Sequence, residues 1–180
     1  MLNRSWQESL KAELQRLKRN DRPLRVALLG IGHELCGDDA VGVQIAEMLQ
    51  TRLPADKSLL AIEAGPAPEN FTSLLRRYKP DLVLLVDSAL MREKPGTVRW
   101  LDPHQAEGFS ASTHTLPLNI LLTYLNFELG CAVSLIGIQP DQTFADAPLT
   151  PRVQAAAEQV AAGVLSCIQA AGKPAVETMS

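Results

Sequence analysis

Short apolar runs alternate along the chain with segments of helical periodicity. Strands are predicted where such runs are bounded by turn residues, at 25–31, 59–63, 81–87, 97–101 and 131–138. Helices are predicted where apolar residues recur three and four positions apart, at 40–52, 69–78, 116–127 and 151–171. This alternation of β and α segments predicts a doubly wound α/β fold with helices on both faces of a largely parallel sheet.

The N-terminal segment carries its own helical pattern. Leu10, Leu14 and Leu17 are spaced four and three residues apart within residues 5–18, and a polar break at 20–23 follows. We expect this helix to be an appended segment outside the core. The predicted organisation is an N-terminal helical extension (1–22), a single domain (23–172) and a mobile tail (173–180).

Composition narrows the class of protein. A chain of 180 residues with 46% hydrophobic content is long enough for one core, and its formal net charge is −3. The densest basic stretch, 11–25, is interleaved with acids, so we interpret it as a solvated helix face and expect no nucleic-acid partner. The three cysteines form no CxxC pair, and no apolar run reaches the roughly 20 residues of a membrane span. We therefore expect a cytoplasmic monomer without membrane insertion.

Candidate chemistry lies where predicted strands end, because ligands of an open parallel sheet gather outside the carboxyl ends of its strands. Asp38 and Asp39 open a helix after the first strand, and one of them could simply cap that helix. Asp87 ends a wholly apolar strand, where an acid needs a cation, a donor or water. His114 precedes a helix in a segment able to reach the same edge.

Two carboxylates and one imidazole form a plausible metal-ligand set. Three protein ligands leave coordination positions open for water or substrate, as a working site requires. Nickel, zinc and iron all accept these ligands, so the residues alone do not select the metal. Asp38 is a candidate base, with helix capping as the alternative.

Three other chemistries are weaker. The Gly30-Ile-Gly32 loop lacks the third glycine of a dinucleotide fingerprint, and two acids follow where a pyrophosphate would be repelled. Cys36 has no feature that clearly lowers its pKa, although His33 and His114 could lie near it. A Ser-His-Asp set is disfavoured because the chain has no GxSxG motif.

Five motifs, taken in order, resemble those of the hydrogenase maturation endopeptidases. The resemblance extends from about residue 25 to residue 168, and the segments 65–70 and 137–141 are similar to the branch that serves the formate-hydrogenlyase type of hydrogenase. The segments that carry the resemblance are Gly30-Ile31-Gly32 with 37–42, 65–70, 85–89, 113–118 and 137–141.

The resemblance implies a fold, a site and an activity. The fold would be a three-layer sandwich with a twisted, mostly parallel sheet of about five strands. The metal ligands and catalytic residues would be Asp39, Asp87 and His114, in an aspartic-type or metal-dependent endopeptidase. Its partner would be a nickel-loaded [NiFe]-hydrogenase large-subunit precursor, whose C-terminal extension is removed after nickel insertion. Nickel would be supplied by that substrate.

Two departures from the family pattern bear on the site. His33 stands where the family usually has asparagine, and it could add a ligand or change how the substrate is held. Residues 63–65 read Glu-Ala-Gly where an acid followed by two glycines is common. Two other functions stay open at the level of sequence: a non-catalytic checkpoint or chaperone for nickel loading, and a metal-dependent hydrolase of small molecules.

Overall fold

A computed structural model describes residues 4–19, 21–101 and 117–172 of the chain. The predicted mobile tail and His114 lie outside these residues. Within these residues the chain forms five strands and five α-helices, together with short 3-10 helices at Gly37–Ala40 and Pro68–Phe71. In chain order the elements are α1 (Trp6–Leu17), β1 (Val26–Ile31), α2 (Val41–Gln50), β2 (Leu59–Gly65), α3 (Thr72–Tyr78), β3 (Leu82–Ser88), β4 (Val98–Leu101), α4 (Leu118–Leu129), β5 (Ala132–Ile138) and α5 (Pro151–Gly172).

The five strands form one sheet in the order β2-β1-β3-β5-β4. All neighbours are parallel except β4, which pairs antiparallel with β5 at the edge. The predicted fold class, a mostly parallel sheet between helical layers, is therefore confirmed. The carboxyl ends of β1 and β3 are adjacent, since Gly30 pairs with Val86.

Alternation along the strands separates the core into two layers. Val26, Leu28 and Val86 belong to a cluster with α1, α2 and α5 on one face of the sheet. Ala27, Leu29 and their neighbours of like parity belong to a second cluster with α3 and α4 on the other face. Strands covered on both faces must be apolar at nearly every position, which explains the continuous runs in the sequence.

Helix α1 is part of the core, so the expectation that it lies outside is wrong. Trp6, Leu10 and Leu14 are 6%, 0% and 1% exposed and pack in the cluster that contains α5. The helix begins at a capping box between Ser5 and Glu8, whose side chains and backbone amides bond reciprocally. Because α5 presents small residues, α1 approaches closely, and a Cβ at Gly163 would lie 2.5 Å from the Trp6 ring. The proposed residue bounds of the extension and the domain stay predictions.

Among the described helices, none is both long and apolar enough to cross a membrane. Cys36, Cys131 and Cys167 are all free thiols.

Candidate active site at the carboxyl edge of the sheet

Glycines let α2 begin directly over the ends of β1 and β3. A Cβ at Gly42 would lie 2.2 Å from the carbonyl oxygen of Val86 and 2.3 Å from that of Ile31, so any side chain would displace backbone. Gly32 adopts a φ of 135° beside the Asp39 carbonyl, a conformation that favours glycine. The glycine motif therefore has a packing purpose: it brings the acids before α2 to the sheet edge.

Asp39 is buried and held by two donors. Its Oδ1 accepts a hydrogen bond of 2.7 Å from the Ser88 hydroxyl, and its Oδ2 accepts one of 3.0 Å from the backbone N–H of His33. The side chain is 3% exposed. Each carboxylate oxygen keeps a further lone pair for a ligand, since an ionised carboxylate offers about four acceptor sites. The Ser88 contact also places this carboxylate beside the residue that follows Asp87.

Asp87 is fully buried at the end of β3, where it pairs with Gly137 of β5. Strand alternation puts its side chain on the same face as Leu85 and Ala89, which is the face covered by α3 and α4. Asp39 thus contacts Ser88, the residue next to Asp87, at the end of β3, and a shared role of the two acids as metal ligands stays a prediction.

His114 lies outside the described residues, and its position relative to the acids stays a prediction. Leu118, four residues later, is buried in the same cluster as Leu85 and Ala89. The helix that follows the histidine motif therefore packs on the face of the sheet that carries Asp87. Within the described residues, no group of three or more histidine, cysteine, aspartate or glutamate side chains is arranged to hold a metal ion.

Asp38 is fully buried, and its hydrogen-bond donors belong to a different part of the chain from those of Asp39. Its carboxylate accepts backbone hydrogen bonds from Asp141, Gln142 and Thr150, at 2.8, 3.1 and 2.7 Å, and a further bond from the Thr150 hydroxyl at 3.0 Å. These four donors cross-link the 3-10 helix before α2 to the loop that leads into α5. The arrangement is a structural one, and the sequence did not indicate it.

His33 contributes to the site through its backbone. Its amide holds Asp39, whereas its imidazole is exposed and its Nδ1 accepts from the Leu35 N–H at 3.4 Å. The backbone contact could form with asparagine at this position, so the departure from the family pattern leaves the Asp39 support intact.

Large apolar side chains are exposed around this edge of the sheet. Leu35 follows β1, Leu90 follows β3 and Phe144 follows β5, and they are 61%, 50% and 70% exposed. The loops that carry the first and the last of these are joined, since the Asp146 N–H donates to the Leu35 carbonyl. These three exposed side chains thus follow neighbouring strands at the carboxyl edge.

A doubly wound sheet with buried acids where its strands end defines the class: an α/β protein whose candidate site lies at the carboxyl edge. The family profile described as hydrogenase maturation protease, HycI, matches residues 43–167. The chain is 36% identical over 134 residues to the hydrogenase 3 maturation protease of Escherichia coli K12, covering 74% of this chain and 84% of that relative. The chain therefore belongs to the hydrogenase maturation protease family, whose members are hydrolases that process hydrogenase precursors.

Solved structures agree with this assignment. The [NiFe] hydrogenase maturation protease HycI of Thermococcus kodakarensis KOD1 superposes with a TM-score of 0.72 at 31% identity, covering 83% of this chain and 95% of that one. The hydrogenase maturating endopeptidase HybD of E. coli gives a TM-score of 0.67 at 28% identity, covering 83% and 94% of the two chains. The family resemblance found in the motifs is confirmed.

Proposed function

We propose that this protein is a nickel-dependent endopeptidase that removes the C-terminal extension of a [NiFe]-hydrogenase large-subunit precursor after nickel insertion. The observation that carries the proposal is the 2.7 Å bond between Ser88 and Asp39, which draws the acids of two motifs to one strand end. Asp39, Asp87 and His114 are the proposed ligands for nickel that arrives with the substrate. Imidazole and carboxylate donors are compatible with nickel.

The protein's own residues prepare the site before the substrate arrives. Ser88 and the His33 amide fix the Asp39 carboxylate while leaving lone pairs available, and burial of both acids lowers the local dielectric and strengthens their attraction for a cation. Nickel held by the precursor would supply Lewis acidity, polarising the scissile carbonyl or activating a water. A precursor without nickel would lack this part of its docking interaction and would not be cut.

Asp38 is a poor candidate for the proposed base. Its carboxylate is fully buried and accepts four hydrogen bonds from the loop before α5, which favour its charged form over the protonated one. We assign the catalytic role to Asp39, Asp87 and His114 and a structural role to Asp38.

The apolar edge favours a polypeptide over a small-molecule substrate. Leu35, Leu90 and Phe144 are too exposed to enclose a small ligand but suit a docked protein surface. The three free cysteines fit a reducing compartment, and we propose that the protein acts in the cytoplasm as a monomer.

The decisive experiment incubates the purified protein with nickel-loaded precursor and measures the mass of the product. Asp39→Asn, Asp87→Asn and His114→Ala should each abolish cleavage, because each removes one proposed ligand. Asp146→Asn changes one acid in the loop near Leu35 and should cleave normally. Nickel-free precursor should stay intact. Full cleavage by the three ligand variants would overturn the assignment.

The checkpoint alternative gives a different result in the same experiment. A non-catalytic nickel sensor would bind the loaded precursor without changing its mass, and its ligand variants would lose binding alone. A wild-type protein that binds but never cuts would therefore favour that alternative.

A further inference from the structure

A second concave surface lies at the amino edge of the sheet, opposite the edge that carries Asp39. It is a groove of about 930 Å³ between the end of α1, the ends of α3 and α4, and the starts of β3 and β5. Six basic side chains line it, which we call the cationic groove: Arg16, Lys18, Arg19, Arg22, Arg76 and Lys79.

The groove keeps a positive charge although the whole chain is negative. Its lining includes only two carboxylates, those of Asp81 and Glu128. Asp81 is engaged by Arg22, at 2.6 and 2.8 Å, and by Arg19 at 3.4 Å. Glu128 pairs with Arg76, and Arg16 pairs at 2.6 Å with Glu13, which is not among the lining residues. The four arginines are therefore engaged, and the unpaired positive charge of the groove belongs to its two lysines. With a formal charge of −3 over the full sequence, this concentration of cations is a local feature.

Two lysines of the groove are available to a ligand. Among the described residues, the side chains of Lys18 and Lys79 have no hydrogen-bond or ion-pair partner, and both residues bond only through their backbone N–H groups. Lys79 ends α3 with a φ of 55°, in the left-handed conformation that favours glycine. A lysine at this position thus places a charge on the groove wall where a glycine would suit the backbone better.

Three leucines from different helices also line the groove. Leu17 and Leu129 are partly exposed, whereas Leu75 is fully buried. Basic side chains beside partly exposed leucines match a polypeptide that presents acidic and aliphatic residues together. The arginines already show the required geometry, because Arg22 binds the Asp81 carboxylate through both of its terminal nitrogens.

Other anions fit less well. A phosphate site usually converges backbone N–H groups or a helix N-terminus on one point. This groove is formed by helix C-terminal ends, and its cations are spread over the ends of α1 and α3 and the chain that follows each of them. Single-stranded nucleic acid is bound through base stacking on aromatic rings, and none of the lining residues is aromatic.

We propose that the cationic groove is a docking site for an acidic polypeptide segment of a protein partner. The proposal assigns a role to α1, which with the chain that follows it supplies four of the six cations. It is independent of the proposed protease site, because it concerns the opposite edge of the sheet.

The test is binding of a fluorescein-labelled peptide of alternating glutamate and leucine to the full chain, followed by fluorescence polarisation at 50 mM and 300 mM salt. Lys18→Gln/Lys79→Gln should weaken binding about tenfold, and the higher salt should weaken wild-type binding further. The ammonium groups of these lysines form no ion pair with the described residues, so the substitutions break none. Arg92→Gln/Lys94→Gln removes the same charge from exposed positions between β3 and β4 and should change the affinity less than twofold.

Three comparisons make the outcome decisive. A peptide of glutamate and serine should bind more weakly than the glutamate–leucine peptide, because it cannot make apolar contacts with Leu17 and Leu129. Tripolyphosphate and an oligonucleotide of uridine should not compete for the groove specifically. They should displace the peptide only at concentrations high enough to raise the ionic strength and screen the charges of the groove. Absence of peptide binding, equal affinity of both double variants, or tighter binding of either phosphate probe would each overturn the proposal.

Discussion

Ser88 supports the proposed active site without being a nucleophile. Its hydroxyl donates to Asp39 and is fully buried at the end of β3. The sequence places this serine beside Asp87, where it can be interpreted as a turn partner. Only the crossing of two loops in three dimensions shows that it holds an acid 49 residues away.

We predict that Ser88→Ala lowers kcat/KM for precursor cleavage about tenfold or more, because a hydrogen bond to a charged group contributes about 1.5–3 kcal/mol. Ser134→Ala is the matched control, since it removes the hydroxyl of another buried strand serine. Its cleavage rate should equal that of the wild type. Equal rates for both variants would show that Ser88 does not position Asp39.

Cys131 should be an unreactive thiol. Burial raises its pKa to about 11, and the negative charge of Asp81 acts in the same direction. In a Cys36→Ser/Cys167→Ser variant, alkylation by iodoacetamide should therefore rise with pH up to about 11, as the thiolate forms. Mass spectrometry of alkylation against pH measures this directly. A midpoint near the usual thiol pKa of about 8.5 would contradict the prediction.

At the scale of elements, Asp38 joins the first β-α unit to the last helix. Four donors from the segment 141–150 meet one buried carboxylate. We predict that Asp38→Asn reduces the free energy of unfolding by about 3 kcal/mol, because the amide loses the charge and turns N–H groups toward N–H donors. Urea unfolding followed by circular dichroism measures the change.

Asp141→Asn is the control for that substitution. Asp141 is an exposed acid in the same loop, and its contact with Asp38 is through its backbone N–H. Its loss of charge should change stability by less than about 0.5 kcal/mol. A similar small change in Asp38→Asn would show that the buried carboxylate is not needed for docking of α5.

Most elements are predictable from pattern alone. The apolar runs predict each strand of the sheet to within one or two residues of its observed bounds, because burial on both faces requires continuous apolar runs. The antiparallel direction of β4 is not encoded in its short sequence, since pairing direction depends on where the chain returns. The sequence likewise does not determine the role of Asp38, because its hydrogen-bond donors lie more than 100 residues further along the chain.

At the scale of the whole molecule, α1 completes one face of the core. Its sequence pattern predicts the helix but not where its apolar face is buried. We predict that Leu10→Ala destabilises the protein by about 3 kcal/mol, since the side chain is fully buried. Lys11→Ala, at the next and exposed position, should have an effect below about 0.5 kcal/mol. Chemical denaturation of both variants checks this.

If Leu10→Ala left stability unchanged, α1 would be an appendage outside the core.

The cationic groove also could not be predicted from the sequence. Residues 11–25 look like a solvated basic face because each cation has an acid nearby along the chain. The fold instead gathers Arg16 and Lys18 with Arg76 and Lys79, and only the docking of α1 brings these two groups together.

The bonds between Asp38 and Thr150 also have a consequence for the order in which this part of the fold is completed during synthesis. The residues are 112 positions apart. A growing chain that has not yet exposed Thr150 lacks two of the four donors for the Asp38 carboxylate, next to Asp39. The hydrogen bonds that fix Asp38, beside the proposed catalytic edge, are therefore completed only after residue 150 has been synthesised, late in translation.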